Sequence, residues 1–454
     1  MTLSTSPLTG TRDFFPEEMS VRSQVFAKLY AAVESFGYVR YDGPMLEPLE
    51  LYAAKSSEEI VSQQTYRMKD RGDRELVVRP EMTPTVARMI AAKASQLSFP
   101  ARWYSHPNLW RYERKQRGRY REHWQVNVDL FGTESWEAEA EMFELCGEMM
   151  FALGAAPADF IVRVNDRKLA QAILGRAAGL PEENRDEKIR AIFGALDQFH
   201  KLPVDKTKEQ LAALGIAAAN VDEVIAAVRA PAAEYLALAP PELVEKSAIA
   251  RVLKEGLTTS KPLTLVLDPL VIRGFDYYTS TVFEIYDTNP ENPRSIAGGG
   301  RYDNLVGLFG KARVPGIGFG MGDVTLIDFL ETHALAPRPR IGADAQVMAI
   351  GNDVDSRKRV HEIALALRAD GLRVVTALEP KKLGKLLEKA AKEGVRFAVI
   401  TGPDEAARGA VKLRDLSRSE EWEVQRRDLS TRIALGLAEH GATAHLPASD
   451  DDAP

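Results

Sequence analysis

Two runs with strand character, RWYSHPNLWRYE (residues 102–113) and EHWQVNVDLFG (122–132), flank the basic segment RKQRGRYR (114–121). The pattern predicts a long hairpin, because aromatic and β-branched residues favour the strands and the intervening charges favour an exposed connection. Between positions 111 and 121, five arginines and one lysine face a single acid, Glu113. A charge run of this kind is most often a solvated surface. Strand alternation argues for more: Arg111 and Glu113 share one side of the first strand, and Gln125 and Asp129 one side of the second. A cation, an amide and two carboxylates on one sheet face are costly unless a ligand or neighbours satisfy them. The hairpin is therefore read as a wall of a binding site.

The basic character is local. The 454-residue chain has a net charge of −6, which gives no global attraction to nucleic acid, so contact with a polyanion must come from patches such as this loop. Its length predicts two or three domains. No apolar run approaches the roughly 20 residues of a membrane span, and MTLSTSPLTGTRDFF lacks the basic-then-apolar order of a signal peptide, so a cytoplasmic location is expected. Cys146 is the single cysteine and the seven histidines show no ligand spacing, so neither disulfides nor a protein-ligated metal is expected.

Three further stretches place polar residues where apolar ones would be expected. In LVIRGFDYYTSTVFEIY (270–286), Arg273 and Asp276 interrupt an apolar context, and Tyr278 shares parity with Ser280 and Glu284. An internal Arg273–Asp276 ion pair is the bland alternative to a ligand contact. In SIAGGGRYDNLV (295–306), three glycines allow close backbone approach, and Arg301 and Tyr302 are expected to supply polar tips. In VVRPEMTPTVARMIA (77–91), Arg79, Glu81 and Thr83 stand at the front of a predicted helix, where capping competes with ligand binding. Finally, GIGFGMGDVTLIDFLE (316–331) packs four glycines into seven positions before an apolar-periodic run, but has no Lys or Arg to hold a phosphate.

The rest of the chain supplies a frame for these stretches. An amphipathic helix is predicted over 17–36, ending at Gly37, then an extended segment broken by Pro44 and Pro48. Residues 167–257 are rich in Ala, Leu, Glu and Lys and read as helical, while strand character returns at 263–268 and 279–286. After a proline-rich linker near 335, strands and helices alternate as in a small separate α/β domain. The tail ASDDDAP is expected to be disordered.

In this order the motifs resemble those of histidyl-tRNA synthetases, a family of class II aminoacyl-tRNA synthetases, nearly from end to end. GPMLEP resembles motif 1 with its proline at Pro44, the hairpin resembles motif 2 with its Arg-x-Glu at Arg111 and Glu113, and RGFDYYTSTVFE resembles the histidine-specific segment. The resemblance implies an α/β and α+β multidomain chain: an antiparallel-sheet catalytic domain in two parts (1–166 and 258–334), a helical insertion (167–257), a C-terminal α/β anticodon-binding domain (341–443) and a disordered tail (444–454).

It also implies activation of L-histidine with ATP, accompanied by Mg2+, to histidyl-adenylate, then transfer to the 3′ end of tRNA(His), by a homodimer with the motif 1 helix and Pro44 region at its interface. Arg111 would bind the ATP α-phosphate, Glu113 the adenine amino group, and Arg119 the region between ATP and the tRNA end. Arg273 would sit across the α-phosphate. Glu81, Thr83, Gln125, Asp129, Tyr278 and Tyr302 would form the histidine pocket, with Asp129 and Tyr278 facing the imidazole nitrogens. Lys381, Lys382 and Lys385 are either tRNA contacts or a solvated helix face.

Three positions depart from the family pattern. Asp129 stands where glutamate is common, and Met82 where glycine is common, which is expected to narrow the pocket entrance. In the motif 3-like stretch, Thr325 replaces the arginine that grips the γ-phosphate, so either another cation such as Arg119 or Arg117, or a magnesium ion, covers that phosphate, or ATP binding is weaker. A non-catalytic regulatory subunit of histidine biosynthesis, which keeps the fold and lacks the C-terminal domain, is the alternative reading. The missing arginine favours it; Arg111, Glu113, Arg273 and the C-terminal domain oppose it.

Overall fold

The computed structural model describes residues 3–53, 64–181, 185–196, 199, 202–271, 277–351, 353–377 and 381–439. Arg273, Asp276 and the 444–454 tail lie outside the described residues. The chain divides into two compact units, Met1–Phe14 with Arg22–Pro337, and Phe15–Val21 with Arg338–Pro454.

The larger unit is organised by a nine-stranded sheet built from β1 (Val39–Arg40), β5 (Ala101–Ser105), β6 (Asn108–Trp110), β7 (Glu122–Phe131), β8 (Phe160–Asp166), β9 (Leu265–Leu267), β10 (Thr281–Asp287), β11 (Ser295–Arg301) and β12 (Gly316–Gly322). Its order is β1-β5-β7-β12-β11-β10-β8-β9, with β6 also on β7. The edge pairs β1–β5 and β8–β9 are parallel, and the pairs between them antiparallel. A small antiparallel sheet joins β2 (Leu46–Pro48), β3 (Tyr66–Lys69) and β4 (Glu75–Val78).

Register gives the large sheet two unlike faces. Val128, Phe319, Gly299 and Phe283 align across β7, β12, β11 and β10, so their side chains share a face. Helix α3 (Glu137–Ala152) packs on that face, burying Met142, Phe143, Cys146 and Met149, with Phe143 edge-on to Phe283 at 5.0 Å. Asn127, Gly320, Gly298 and Glu284 align on the other face, which is bare of side chains along the glycines of β12 and β11.

Helix α1 (Pro16–Ser35) buries Val25, Phe26, Leu29 and Val33 and stops before Gly37, at φ +81°. Helix α2 is Thr83–Lys93 and helix α4 Asp323–Thr332. Arg22 is also buried on α1, because its guanidinium meets Asp323 at 2.5 Å. Among the described residues between β8 and β9, the helices run from Arg167–Ala177 to Ala248–Glu255. No described helix is long and apolar enough to cross a membrane.

One predicted strand is divided. RWYSHPNLWRYE breaks into β5 and β6 at His106–Pro107, since Pro107 has no N–H for the ladder and offers only its carbonyl, to Gln125 at 3.2 Å. Arg111 and Glu113 lie beyond β6, in a loop whose tip is an isolated bridge between Gln116 and Arg119. Strand alternation is therefore not what brings them together.

The smaller unit contains a five-stranded sheet in the order β14 (Val374–Thr376), β13 (Ala345–Ala349), β15 (Phe397–Thr401), β16 (Ala410–Asp415), β17 (Glu420–Gln425). The first three are parallel and the last two antiparallel, with Val347, Val399, Leu413, Ile433 and Leu437 in the core. This is the expected alternation, plus a short helix, Pro403–Ala407, too brief for periodicity to reveal.

Candidate active site

A cleft of about 290 Å³ opens on the sparse face of the large sheet. Its floor is bare for a geometric reason. A Cβ at Gly320 would come within 2.4 Å of the Gln125 side chain, and one at Gly318 within 2.5 Å of both the Asp129 carboxylate and the Val128 carbonyl. Alternate glycines on β12 thus leave room for Gln125 and Asp129 to lie over the strand, and for a flat group to approach the backbone. Strand β12 runs directly into α4, and Asp323, the first residue of that helix, is fully buried. It accepts from Arg12 at 2.8 Å, Arg22 at 2.5 Å and the Trp124 N–H at 3.1 Å, tying the N-terminal segment and α1 to β7.

One end of the cleft is built from the loop after β6. Arg111, Glu113, Arg119 and His123 line it with Gln125. Arg111 donates from Nε to the Pro80 carbonyl at 3.0 Å, so the fixed part of its guanidinium anchors to the segment before α2. The Glu113 carboxylate meets Arg119 Nε at 2.7 Å. Burial, followed by the charge of Arg111, pushes the His123 imidazole down to about 3, leaving it neutral at ordinary pH.

At the other end lies a tyrosine–carboxylate cluster. The Tyr277 hydroxyl donates to Glu81 Oε2 at 2.8 Å and is also hydrogen-bonded to Thr83. Tyr302 donates to Asp129 Oδ1, while Tyr41 donates more weakly to Asp129 Oδ2 at 3.5 Å. Burial raises the Asp129 carboxyl to about 7 even though the two hydroxyls oppose the shift. Tyr278 joins cluster to cleft: it lines the cleft, and its ring meets Tyr277 edge-on at 4.9 Å.

Of the sequence-predicted residues, Arg111, Glu113, Arg119, Gln125 and Tyr278 line the cleft, and Glu81, Thr83, Asp129 and Tyr302 belong to the adjoining cluster. Arg273 lies outside the described residues. Other expectations are corrected. Arg301 is no polar tip: alternation turns it to the helix-covered face, where it pairs with Glu139 on α3 at 2.6 Å through both Nε and Nη2. Arg79 is committed to Asp42 at 2.9 Å and to the Asn108 and Gly43 carbonyls. Met82 does not narrow an entrance; it is fully buried, and a Cβ at Gly43 would meet its Cε at 3.2 Å. Capping does not explain Glu81 or Thr83, because Met82 is the N-cap of α2 and makes no side-chain cap.

Sequence reasoning passed over Tyr277, Tyr41, His123 and Arg294. Tyr277 was visible in the YY pair, but nothing local distinguishes the buried member; Tyr41 and Arg294 arrive from distant segments and carry no motif. Among the described residues no group of three His, Cys, Asp or Glu side chains is placed to hold a metal ion.

A histidyl-tRNA synthetase family model matches residues 10–324, and an anticodon-binding-domain model matches residues 344–434. The histidine–tRNA ligase of Leptospira biflexa is 42% identical over 425 residues, covering 91% of this chain and 94% of that relative. That of Opitutus terrae is 38% identical over 433 residues, covering 94% and 97%. The histidyl-tRNA synthetase of Nostoc superposes with a TM-score of 0.79 at 26% identity over 96% of this chain and all of that one, counted as 100%. A Bacillus halodurans structure titled ATP phosphoribosyltransferase regulatory subunit/histidyl-tRNA synthetase shares the fold at a TM-score of 0.66 and 21% identity, over 88% and 99%.

Proposed function

This chain belongs to the histidyl-tRNA synthetase family, and from that premise we propose that it is a working histidine–tRNA ligase rather than a regulatory relative. The fold is common to the Nostoc synthetase and to the Bacillus halodurans protein described by both names, so the choice rests on the site. The observation that carries the choice is the continuity of the site. A cleft with a glycine floor and arginines at one end joins, through Tyr278, a buried cluster of two carboxylates and three tyrosine hydroxyls. A regulatory subunit that only senses histidine needs the second half alone. The anticodon-binding-domain match at 344–434 weighs the same way.

In this reading the histidine carboxylate attacks the α-phosphorus of ATP, a P–O bond forms, and the bond to the β-phosphate breaks to release magnesium pyrophosphate. The carboxylate is already a nucleophile, so the chain supplies position and relief of negative charge rather than a base. Arg111 takes the α-phosphate, with Arg273 assigned to the opposite side, Glu113 accepts from the adenine amino group, and Arg119 spans ATP and the tRNA end.

Glu81, Thr83, Gln125, Asp129, Tyr278 and Tyr302 receive histidine. A pocket that pairs both imidazole nitrogens rejects analogues leaving its buried groups unpaired, by about 10⁴-fold or more. The terminal ribose hydroxyl of tRNA(His) then attacks the adenylate carbonyl and AMP leaves. The acting species is a cytoplasmic homodimer, with Pro44 near its interface.

Purified protein is expected to catalyse histidine-dependent exchange of pyrophosphate into ATP with magnesium present. Absence of exchange while histidine still binds would establish the regulatory reading instead.

A further inference from the structure

Thr325 leaves the cleft without a cation at the front of α4, and its hydroxyl is engaged, donating to the Ile296 carbonyl at 3.4 Å. The neighbourhood is not without charge. Gly118, at the loop tip with φ +72°, is wedged between Thr325 and Arg294: a Cβ there would come within 2.7 Å of Arg294 Cδ and 3.3 Å of the Thr325 methyl. Arg294 directly precedes β11 and lines the cleft with Thr325. Its Nε donates to the Arg117 carbonyl at 3.0 Å, which fixes the guanidinium against the loop.

Two other arginines stand on the loop: Arg117 is outside the cleft lining and donates from Nη2 to Asn292 at 3.1 Å, and Arg119 lines the cleft beside Glu113, the carboxylate assigned to the adenine amino group. An arginine suits a polyphosphate because its planar fork can engage two oxygens at once. The positive φ of Gly118 and the missing Cβ are also what let the loop pass over Arg294.

We infer that Arg294, reaching in from the leading end of β11, holds the β,γ-phosphate end of ATP and the departing pyrophosphate in place of a charged residue at Thr325. The inference rests on the ligase reading for the identity of the polyphosphate. Arg294 is then a substrate-binding side chain.

The test is binding of magnesium ATP, AMP and magnesium pyrophosphate to the full-length chain by calorimetric titration. Arg294→Gln is expected to weaken ATP and pyrophosphate by about 10- to 100-fold, the size of a lost charge-assisted hydrogen-bond pair, and to leave AMP within about twofold. Adding Thr325→Arg to Arg294→Gln is expected to recover most of the ATP affinity.

Unchanged ATP binding in Arg294→Gln would overturn the assignment. Equal losses for ATP and AMP would overturn it too, because they would mean that Arg294 only shapes the loop carrying Glu113. A double variant as weak as the single one would overturn the exchange of roles between the two positions. Because these titrations need no turnover, a wild-type chain that fails pyrophosphate exchange yet loses ATP selectively on Arg294→Gln would sink the ligase reading and leave this inference standing.

Discussion

Two arginine–glutamate pairs stand on opposite sides of the same sheet. Arg301 and Glu139, on the helix-covered face, are 6% and 0% exposed and meet through two parallel contacts. Arg119 and Glu113, in the cleft loop, are 40% and 8% exposed. The chemistry is the same and the consequences differ. Glu139 also accepts from Thr281 at 2.9 Å, and Arg301 donates to the Thr133 carbonyl at 2.9 Å and to Asp303 at 3.3 Å, so that losing Glu139 leaves the buried guanidinium with only a more exposed carboxylate. Arg119 can swing into solvent and release Glu113. One pair holds the sheet to its helix; the other lies where a ligand in the cleft can reach it.

The largest effect follows from the buried pair. Glu139→Ala leaves the Arg301 guanidinium with only Asp303, at 3.3 Å, as counter-charge and is expected to cost about 3 kcal/mol of stability, read from the urea midpoint by tryptophan fluorescence. A loss below about 1 kcal/mol would mean that Arg301 finds solvent, and the contrast between the faces would collapse.

Asp129 gives a smaller effect on the cleft side. Its folded carboxyl titrates near 7, raised by burial, whereas an unfolded aspartate titrates near 4. Between those values the folded chain binds a proton that the unfolded chain does not. Stability is therefore fully present below about pH 4, declines as pH rises to about 7, and is level above that. Asp129→Asn removes the titration, so urea melts should show the variant gaining on the wild type by about 1–4 kcal/mol across that interval. A difference independent of pH would show that Asp129 is ionised throughout and held by Tyr302 and Tyr41 alone.

What was legible beforehand divides along the same line. Individual strands and helices follow from periodicity and punctuation, because each signal lies within one segment: α1 up to Gly37, the glycine strand running into α4, the alternation after 340. The family resemblance named residues that the structure does gather, with Glu81 beside Tyr277 and Gln125 beside the glycine floor. What stayed hidden was pairing at long range. Arg301 and Tyr302 are adjacent, and sequence treated them alike, yet alternation sends one to Glu139 and the other to Asp129. Arg294 was hidden because it meets Thr325 across the cleft and beside Gly118, a residue from a distant part of the chain.

The smallest effect tests the exposed pair most directly. In the free chain Arg119 occupies the carboxylate that we assign to the adenine amino group, so nucleotide binding must first part Arg119 from Glu113. Arg119→Ala should change stability by about 1–2 kcal/mol, less than the buried pair, since Arg119 itself is largely hydrated but leaves the 8% exposed Glu113 carboxylate without this counter-charge. The same variant should act oppositely on two ligands. Adenosine, which asks only for Glu113, should bind equally well or up to about fivefold more tightly, because the competing contact is gone. ATP should bind about tenfold more weakly, because a phosphate partner is lost as well. Parallel titrations of adenosine and ATP settle the matter. If Arg119→Ala weakens adenosine as much as ATP, the pair is a structural brace like Arg301–Glu139 and not a displaceable one.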